Sequence, residues 1–529
     1  MSNTHYHTIV VGGGIAGLTA AVYLAKAGKK TILFEKNNEF GGLVSTFKRD
    51  GFLFEGGLRA LENAGIIFPM LKDLGITLNT VRSKVSIGIE NEVLNIEDLS
   101  SIDEYKTMLV KLYPESAAEI DIFIRKMRKV MKHLDVLYGI ENPAFKNIKQ
   151  DKKYLFRQLL PWLPKFLFTV GKINRFNEPI EDYLKKIISN PSLRDIISQH
   201  FFKGTPGFFA MSYFSLYLDY VYPLGGVGTL AKAVTQKIID HNGELRQDTI
   251  IKTVDAYKQT VTDDNGNTYS YDNLIWAADL KTFYSITNTD NLSENIIKKH
   301  NKIKEKILSS VGSESVYSLY LEVDLPLDYF RKIAHGHFFY TPSKQGLNNI
   351  HSTGLKTLLE NWKKNKKADV IKWLDQFIKL NTYEISIPGL KDPSMVPENK
   401  TGVIISFLAD YNLFNNIRND GWEEEFKQEI ESRIIDVLSN SIYPKLGSHI
   451  YKQFAFTPIS IKNRVGSSEG AIVGWSFEDP LPVIHKIHKS NKSVLTAIPN
   501  IFQAGQWAYS PAGVPMSILT GKLAADKII

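Results

Sequence analysis

Apolar positions along this chain fall into two periods, and the alternation between them predicts its elements. Short unbroken apolar runs at residues 7–11 (HTIVV) and 31–35 (TILFE) read as strands buried on both faces. Between them, residues 15–27 read as a helix that stops at Gly28, a residue type suited to the left-handed position after a helix. Strand, glycine-rich turn, helix and strand in so short a stretch predict one parallel βαβ unit. From about residue 59 to 220 the pattern turns mostly helical, and 101–137 sets apolar residues at helical spacing among many charges. A helix around 229–241 is followed by strands at 244–254 and 268–277, with Asp264-Asn265-Gly266-Asn267 as a hairpin turn. Residues 311–460 mix strands (315–323, 402–408) with helices, one of them near 423–438. The last seventy residues hold glycine-rich turns, a strand at 501–504 and a final helix after Pro515.

The turn between the first strand and helix is Gly12-Gly13-Gly14-Ile15-Ala16-Gly17, which fits G-x-G-x-x-G. Gly12 permits the tight turn, Gly14 lets the backbone approach a pyrophosphate, and Gly17 lets helix pack on strand. Free N–H groups and the positive dipole end at Ile15 and Ala16 suit a diphosphate. Glu35 closes the second strand 23 residues after Gly12, where a carboxylate binds ribose hydroxyls. These residues together predict dinucleotide binding.

Glu35-Lys36 is followed by Phe40-Gly41-Gly42 and then by Gly51-Phe52-Leu53-Phe54-Glu55-Gly56-Gly57. Here the chain resembles the flavoprotein family of phytoene desaturases, carotenoid isomerases and retinol saturases, itself related to the amine oxidases. The resemblance spans nearly the whole sequence. It continues through Tyr222-Pro223 with Gly225-Gly226, residues 243–246 (GELR), residues 273–279 (NLIWAAD), Thr457-Pro458 and residues 469–475 (EGAIVGW). It closes with residues 505–515 (GQWAYSPAGVP). The resemblance implies FAD as the tightly held cofactor. Gly41 and Gly42 would bring backbone against the diphosphate, Lys36 would border the cofactor beside Glu35, and Gly57, Leu58 and Arg59 would run past the isoalloxazine. Ile251 would meet the adenine through its backbone, and Ala277 would end a strand at the cofactor. Gly505, Gln506, Gly513, Val514 and Pro515 would complete the cradle. Independently of any family, the Gly513-Val514-Pro515 turn opens a helix whose dipole can stabilise negative charge on a reduced flavin. One departure is Gln506, where desaturases and amine oxidases usually carry an acid. Retinol saturases resemble this chain there, which moves the expectation toward saturase or isomerase chemistry.

The expected architecture is therefore α/β. A Rossmann-like FAD-binding domain is assembled from discontinuous segments, 1–60, 222–310 and 460–529. A helical part covers 61–221, and an inserted α+β substrate-binding domain covers 311–459. Composition narrows the chemistry further. The chain has 529 residues, no cysteine and a formal net charge of +8. The absence of cysteine excludes disulfides, thiol nucleophiles, Fe–S clusters and a cysteine-linked flavin. The mild basic excess is not massed in one block, so no nucleic-acid partner is expected. The histidines are scattered apart from the close pairs His335/His337 and His485/His488, and no metal site is expected. No signal peptide and no long apolar span are read, which makes a cytoplasmic protein the default, soluble or peripheral on a membrane.

The chemistry implied is FAD-dependent saturation, desaturation or isomerisation of a long hydrophobic substrate such as a carotenoid, retinoid or unsaturated fatty acid. NAD(P)H or a quinone is the candidate electron partner. An amine-oxidase-type enzyme releasing hydrogen peroxide and a non-catalytic flavin-containing membrane protein stay open as alternatives. Arg59 is a catalytic candidate that would either anchor a substrate carboxylate or bond FAD or a neighbouring acid. Tyr509, beside the C-terminal turn with Trp507, would stack on substrate, donate a proton or pack in the core. The aromatics at 201–214 read as a tunnel wall or as plain core. Residues 152–175 (KKYLFRQLLPWLPKFLFTVGKINR) carry six basic residues, no acid and many bulky apolars. This segment reads as a membrane-facing element or as a buried hairpin with a basic edge, with Pro161 and Pro164 limiting each helical piece to a couple of turns.

Overall fold

The computed structural model describes residues 4–148, 150–348, 350–478 and 480–529. Two sheets organise them. The first is built on parallel strands in the order Glu244–Arg246, Thr31–Phe34, Thr4–Val11, Thr268–Trp276 and Ile501–Gln503. Their apolar residues are buried because helices cover them. Ile15–Lys26, buried along nearly its whole length, packs against both Gly228–Asp240 and Val514–Ala525. An antiparallel extension, Thr260–Asp263 and Ile251–Asp255, continues the sheet beyond Thr268–Trp276. The strand expected at 244–254 is thus two strands. Between them Thr249 donates its N–H to the Glu35 carbonyl at 2.9 Å and Asp248 donates to the Asn37 carbonyl at 3.1 Å, so the break ties this crossover to the end of the second strand.

The second sheet runs Ile450–Phe456, Ser315–Val323, Thr401–Ala409, Tyr383–Ser386, His337–Thr341, Val85–Ile89 and Glu92–Ile96. All its pairs are antiparallel except His337–Thr341 with Val85–Ile89. The last two strands lie inside the stretch expected to be mostly helical. They are a short hairpin turning at Glu90, which holds a positive φ of 56°, and pairing with a strand some 250 residues away is invisible to local periodicity. Register sets a row of polar groups on one face: Ser318 opposite Ser406, and Ser406 opposite Glu384. Two residues along each strand, on the same face, Tyr320, Ile404, Ser386 and His337 form the next row. The main core of this half packs on the other face, with Leu319, Leu321, Phe338, Ile385 and Ile405 fully buried.

The helical region contains Ser101–Leu112 and Ala117–Tyr138, separated by a turn at Pro114. Gly207–Asp219 packs against Ala117–Tyr138 on one side, and Leu160–Ile173 packs against it as well. The prolines do not chop the 152–175 segment as expected. Lys152–Tyr154 runs through a wide turn at Leu155–Leu159 directly into Leu160–Ile173, with Pro164 inside the helix. The wide turn loosens the hydrogen-bond register just ahead of Pro161, where its missing N–H would otherwise break the ladder. Among the described residues no helix is long and apolar enough to cross a membrane.

Candidate functional site

A cavity of about 530 Å³ is lined by residues of both sheets. At one end its wall is backbone. Gly12 adopts a φ of +104°, and a Cβ there would stand 2.8 Å from the Ala277 carbonyl oxygen. Gly17 does not line the cavity; it closes the turn from behind, where a Cβ would reach 1.9 Å from the Gly12 oxygen. Gly14 is open on its Cβ side and bridges to Gly41, while Gly42, at φ +58°, lies across from it. Helix Ile15–Lys26 starts here with no side-chain cap, leaving its first N–H groups to the cavity. A second uncapped helix start, Val514–Ala525 after Gly513, borders the same space. The two helices meet at Gly521, whose Cβ would fall 2.3 Å from the Ala16 oxygen.

Glu35 is buried and its carboxylate holds the turn. Oε2 accepts from the Gly13 N–H at 2.7 Å, and Oε1 accepts from the Asn37 N–H and side-chain amide. Lys36, Ile251, Ala277, Gly505 and Gln506 line the same stretch. The Lys36 ammonium donates to the Asn463 carbonyl, and burial lowers its pKa. Gln506 turns its amide N–H toward Ser467 Oγ and the Ala471 carbonyl at 3.4 and 3.3 Å, which leaves its side-chain oxygen for another donor.

Past Gly57 and Leu58 the wall changes to side chains. Arg59, Tyr213, Tyr220, Ser318, His337 and Glu384 line this far end. Arg59 is almost fully buried and donates to the Glu55 carbonyl, to Ser318 Oγ and to Ser406 Oγ at 2.7, 3.2 and 2.9 Å. Burial disfavours its charge, but Tyr320, Glu384 and Glu55 outweigh that and raise its pKa. Lys391, also buried, donates to the Arg59 carbonyl and to Ser386 Oγ, both at 2.9 Å. Glu55 accepts from the Tyr222 hydroxyl. His337 Nε2 pairs with Glu384 Oε1 at 2.8 Å, and its ring stacks on Tyr220 with centroids 5.6 Å apart. Burial lowers the His337 pKa despite its carboxylate partner.

A family model of flavin-containing amine oxidoreductases matches residues 15–529. The chain belongs to this family of flavin-dependent oxidoreductases. The enzyme is similar to a 4,4'-diaponeurosporene oxygenase from Staphylococcus haemolyticus, 24% identical with 98% of this chain and 96% of that one covered. It is also similar to an all-trans-retinol 13,14-reductase from Danio rerio, 24% identical over 94% of this chain and 82% of that protein. Among solved structures, a redesigned putrescine oxidase covers 100% of the enzyme and 99% of its own chain with a TM-score of 0.62 at 13% identity. A cyclohexylamine oxidase from Brevibacterium oxydans covers 99% and 98%, with a TM-score of 0.59 at 12% identity.

FAD is the cofactor of this oxidoreductase, and the cavity suits it: two uncapped helix starts, a glycine-lined bed without side chains and a carboxylate at the second strand end share one space. Of the residues singled out in the sequence, Tyr509 does not line the cavity. It is buried, and its hydroxyl donates to the His485 carbonyl at 3.2 Å. Pro515 is the first-turn proline of the final helix and sits behind Val514. The sequence reading missed Ser318, His337 and Glu384. The signal available was a polar residue at an inward position of an otherwise apolar strand, as in HFFYT and YEIS, but only the pairing of distant strands shows which face that is.

Proposed function

We propose that this FAD-dependent oxidoreductase acts on C–C and C=C bonds of a long hydrophobic substrate, a carotenoid, a retinoid or an unsaturated fatty acid, by saturation, desaturation or isomerisation. The observation that carries the reading is the continuity of one cavity from the glycine bed to an aromatic far end. Tyr213 and Tyr220 line it there, and Phe201, Phe209 and Tyr217 pack edge-on around Tyr213. Bound FAD supplies hydride transfer at its N5. The chain's own contribution is to hold an extended apolar chain beside that position and to exclude water, which the buried aromatic wall and the closed glycine turn both favour.

In this reading the Rossmann-like flavin unit comprises 1–60, 222–310 and 460–529, the helical part covers 61–221, and 311–459 supplies the sheet that roofs the substrate. Gly12, Gly14, Ile15, Ala16, Glu35, Lys36, Gly41, Gly42, Ala277, Gly505, Gln506, Gly513 and Val514 cradle FAD, with Ile251 at the adenine and Gly57, Leu58 and Arg59 along the ring. The Leu160–Ile173 helix and the turn before it rest on a lipid surface, from which a water-insoluble substrate is drawn. Exposure of Phe156, Leu160, Leu163, Leu167 and Phe168 among six basic residues supports that contact. NAD(P)H or a quinone renews the flavin.

The test is anaerobic reduction of the holoenzyme followed by fatty acids, retinol and carotenes in turn. Reoxidation of the flavin, or a changed isomer composition, is expected with one of them. If all three classes leave flavin and substrate unchanged while amines release hydrogen peroxide in air, the amine-oxidase alternative replaces this reading.

A further inference from the structure

The far end of the cavity holds a polar group that an entirely hydrocarbon ligand would leave unmatched. Glu384 stands beside Ser406 and His337 in the polar rows of the sheet face, and 33% of its side-chain surface is open. Because Glu384 lines the cavity, that open surface faces the ligand space. Its Oε1 is held by His337 Nε2 at 2.8 Å, and its Oε2 has no hydrogen-bond partner among the described residues. His337 is itself 2% exposed and stacked on Tyr220, so its Nε2 holds the carboxylate from a fixed position.

Burial raises the Glu384 pKa, but the hydrogen bond from His337 and the charges of His337, Arg59 and Lys391 more than offset it, and the carboxyl stays below its ordinary range. Glu384 is therefore ionised at neutral pH, an acceptor only. Glu55 offsets Lys391 and Arg59 in turn, so buried Arg59 and Lys391 stand against buried Glu55 and the half-buried Glu384. A second full charge has no counterpart here, whereas a neutral O–H donor would complete the site.

We infer that Glu384 Oε2 accepts a hydrogen bond from a hydroxyl on the substrate, so that the cavity selects long apolar alcohols over the corresponding hydrocarbons, with His337 as the positioning residue that holds the carboxylate. The inference rests on the apolar-chain reading above and names the polar end of that chain. A buried acceptor discriminates strongly, since a ligand lacking the hydroxyl desolvates the carboxylate without replacing its water.

The experiment titrates the holoenzyme with farnesol, farnesene and farnesylamine and follows the visible flavin spectrum. Farnesol is expected to bind at least about tenfold more tightly than farnesene. In Glu384→Leu the two should bind within about twofold of each other, while Glu384→Gln, which keeps an acceptor oxygen, should retain most of the preference; its flavin spectrum reports folding. Equal binding of farnesol and farnesene to the native enzyme overturns this inference alone, as does tighter binding of farnesylamine. Binding of none of the three overturns the apolar-chain reading together with it. Should Glu384→Leu fail to hold flavin, the native preference and its survival in Glu384→Gln but loss in Glu384→Ala decide the matter.

Discussion

Glu62 sits in the two-residue strand Leu61–Glu62, opposite Tyr220, and burial first, then Asp219, raises its pKa from 4.5 to about 8. In the unfolded chain the same carboxyl ionises near its ordinary value. Between these values the unfolded chain releases a proton that the folded chain keeps, so folded stability falls as pH rises through this window. His300 has the opposite effect in a lower window. It is 1% exposed, both its ring nitrogens lack a partner among the described residues, and burial lowers its pKa to about 4. Its contribution is lost as pH falls from 6.5 toward 4, and it is silent above 6.5. Thermal melts of Glu62→Gln from pH 6.5 to 8 are therefore expected to flatten relative to the native protein, by about 1–2 kcal/mol across the window. A parallel loss in both proteins would show that Glu62 is already ionised. Gly521 makes a second expectation at this scale. A methyl group 2.3 Å from the Ala16 oxygen must push apart the two helices whose starts border the cavity. Gly521→Ala should cost about 1–3 kcal/mol and purify with less flavin, read as the ratio of absorbance at visible and ultraviolet wavelengths. Full flavin content would mean that the helix contact does not shape the cradle.

At the scale of elements, the 152–175 segment shows what periodicity can and cannot reveal. Its composition suits either a bilayer interface or a buried hairpin, and Trp162 and Phe166 are among its aromatics. In the fold those two turn partly inward: the Trp162 indole donates to the Val136 carbonyl and its ring lies tilted against Phe166, centroids 4.4 Å apart. The outward residues are Phe156, Leu160, Leu163, Leu167 and Phe168, spaced along one helical stripe and 43–63% exposed. Replacing Leu163, Leu167 and Phe168 with Ser should abolish flotation on anionic liposomes while leaving the melting temperature within about 1 °C, because exposed side chains contribute little to folding. Trp162→Ser should instead lower the melting temperature. Unchanged flotation of the triple variant removes this stripe from the membrane argument. The same logic separates the legible elements from the illegible ones. Thr4–Val11, Ile15–Lys26 and Thr31–Phe34 were readable because the turn that joins them is local, with Gly12 and Gly28 at positions that demand positive φ. Val85–Ile89 and Glu92–Ile96 were not, because the hairpin they form joins the sheet through Val85–Ile89 pairing with His337–Thr341, which no nearby residue encodes.

At the scale of the whole molecule, Arg59 joins the two sheets. It follows the Glu55-Gly56-Gly57 turn that belongs with the first sheet's cradle, yet its guanidinium bonds Ser318 and Ser406 on the second sheet. Its carbonyl takes the Lys391 ammonium, and Tyr320 from the second sheet donates back to the Glu55 carbonyl at 3.0 Å. Arg59 therefore clamps the two halves across the cavity, and its bonds already account for most of its donors. Glycines can be placed from sequence because their need is a local backbone angle. This clamp cannot, because its partners lie 259 and 347 positions away and are serines, which announce nothing by their spacing. Arg59→Met removes the cation and leaves Glu55 and Glu384 facing Lys391 alone, a loss of about 3–5 kcal/mol for breaking a buried charge network. Arg59→Lys should recover little of it, since one ammonium cannot span a carbonyl and two hydroxyls in a fixed fork. Both variants are expected to melt earlier with and without added FAD, whereas a residue serving only as a substrate anchor would leave the melting temperature unchanged and alter substrate binding alone.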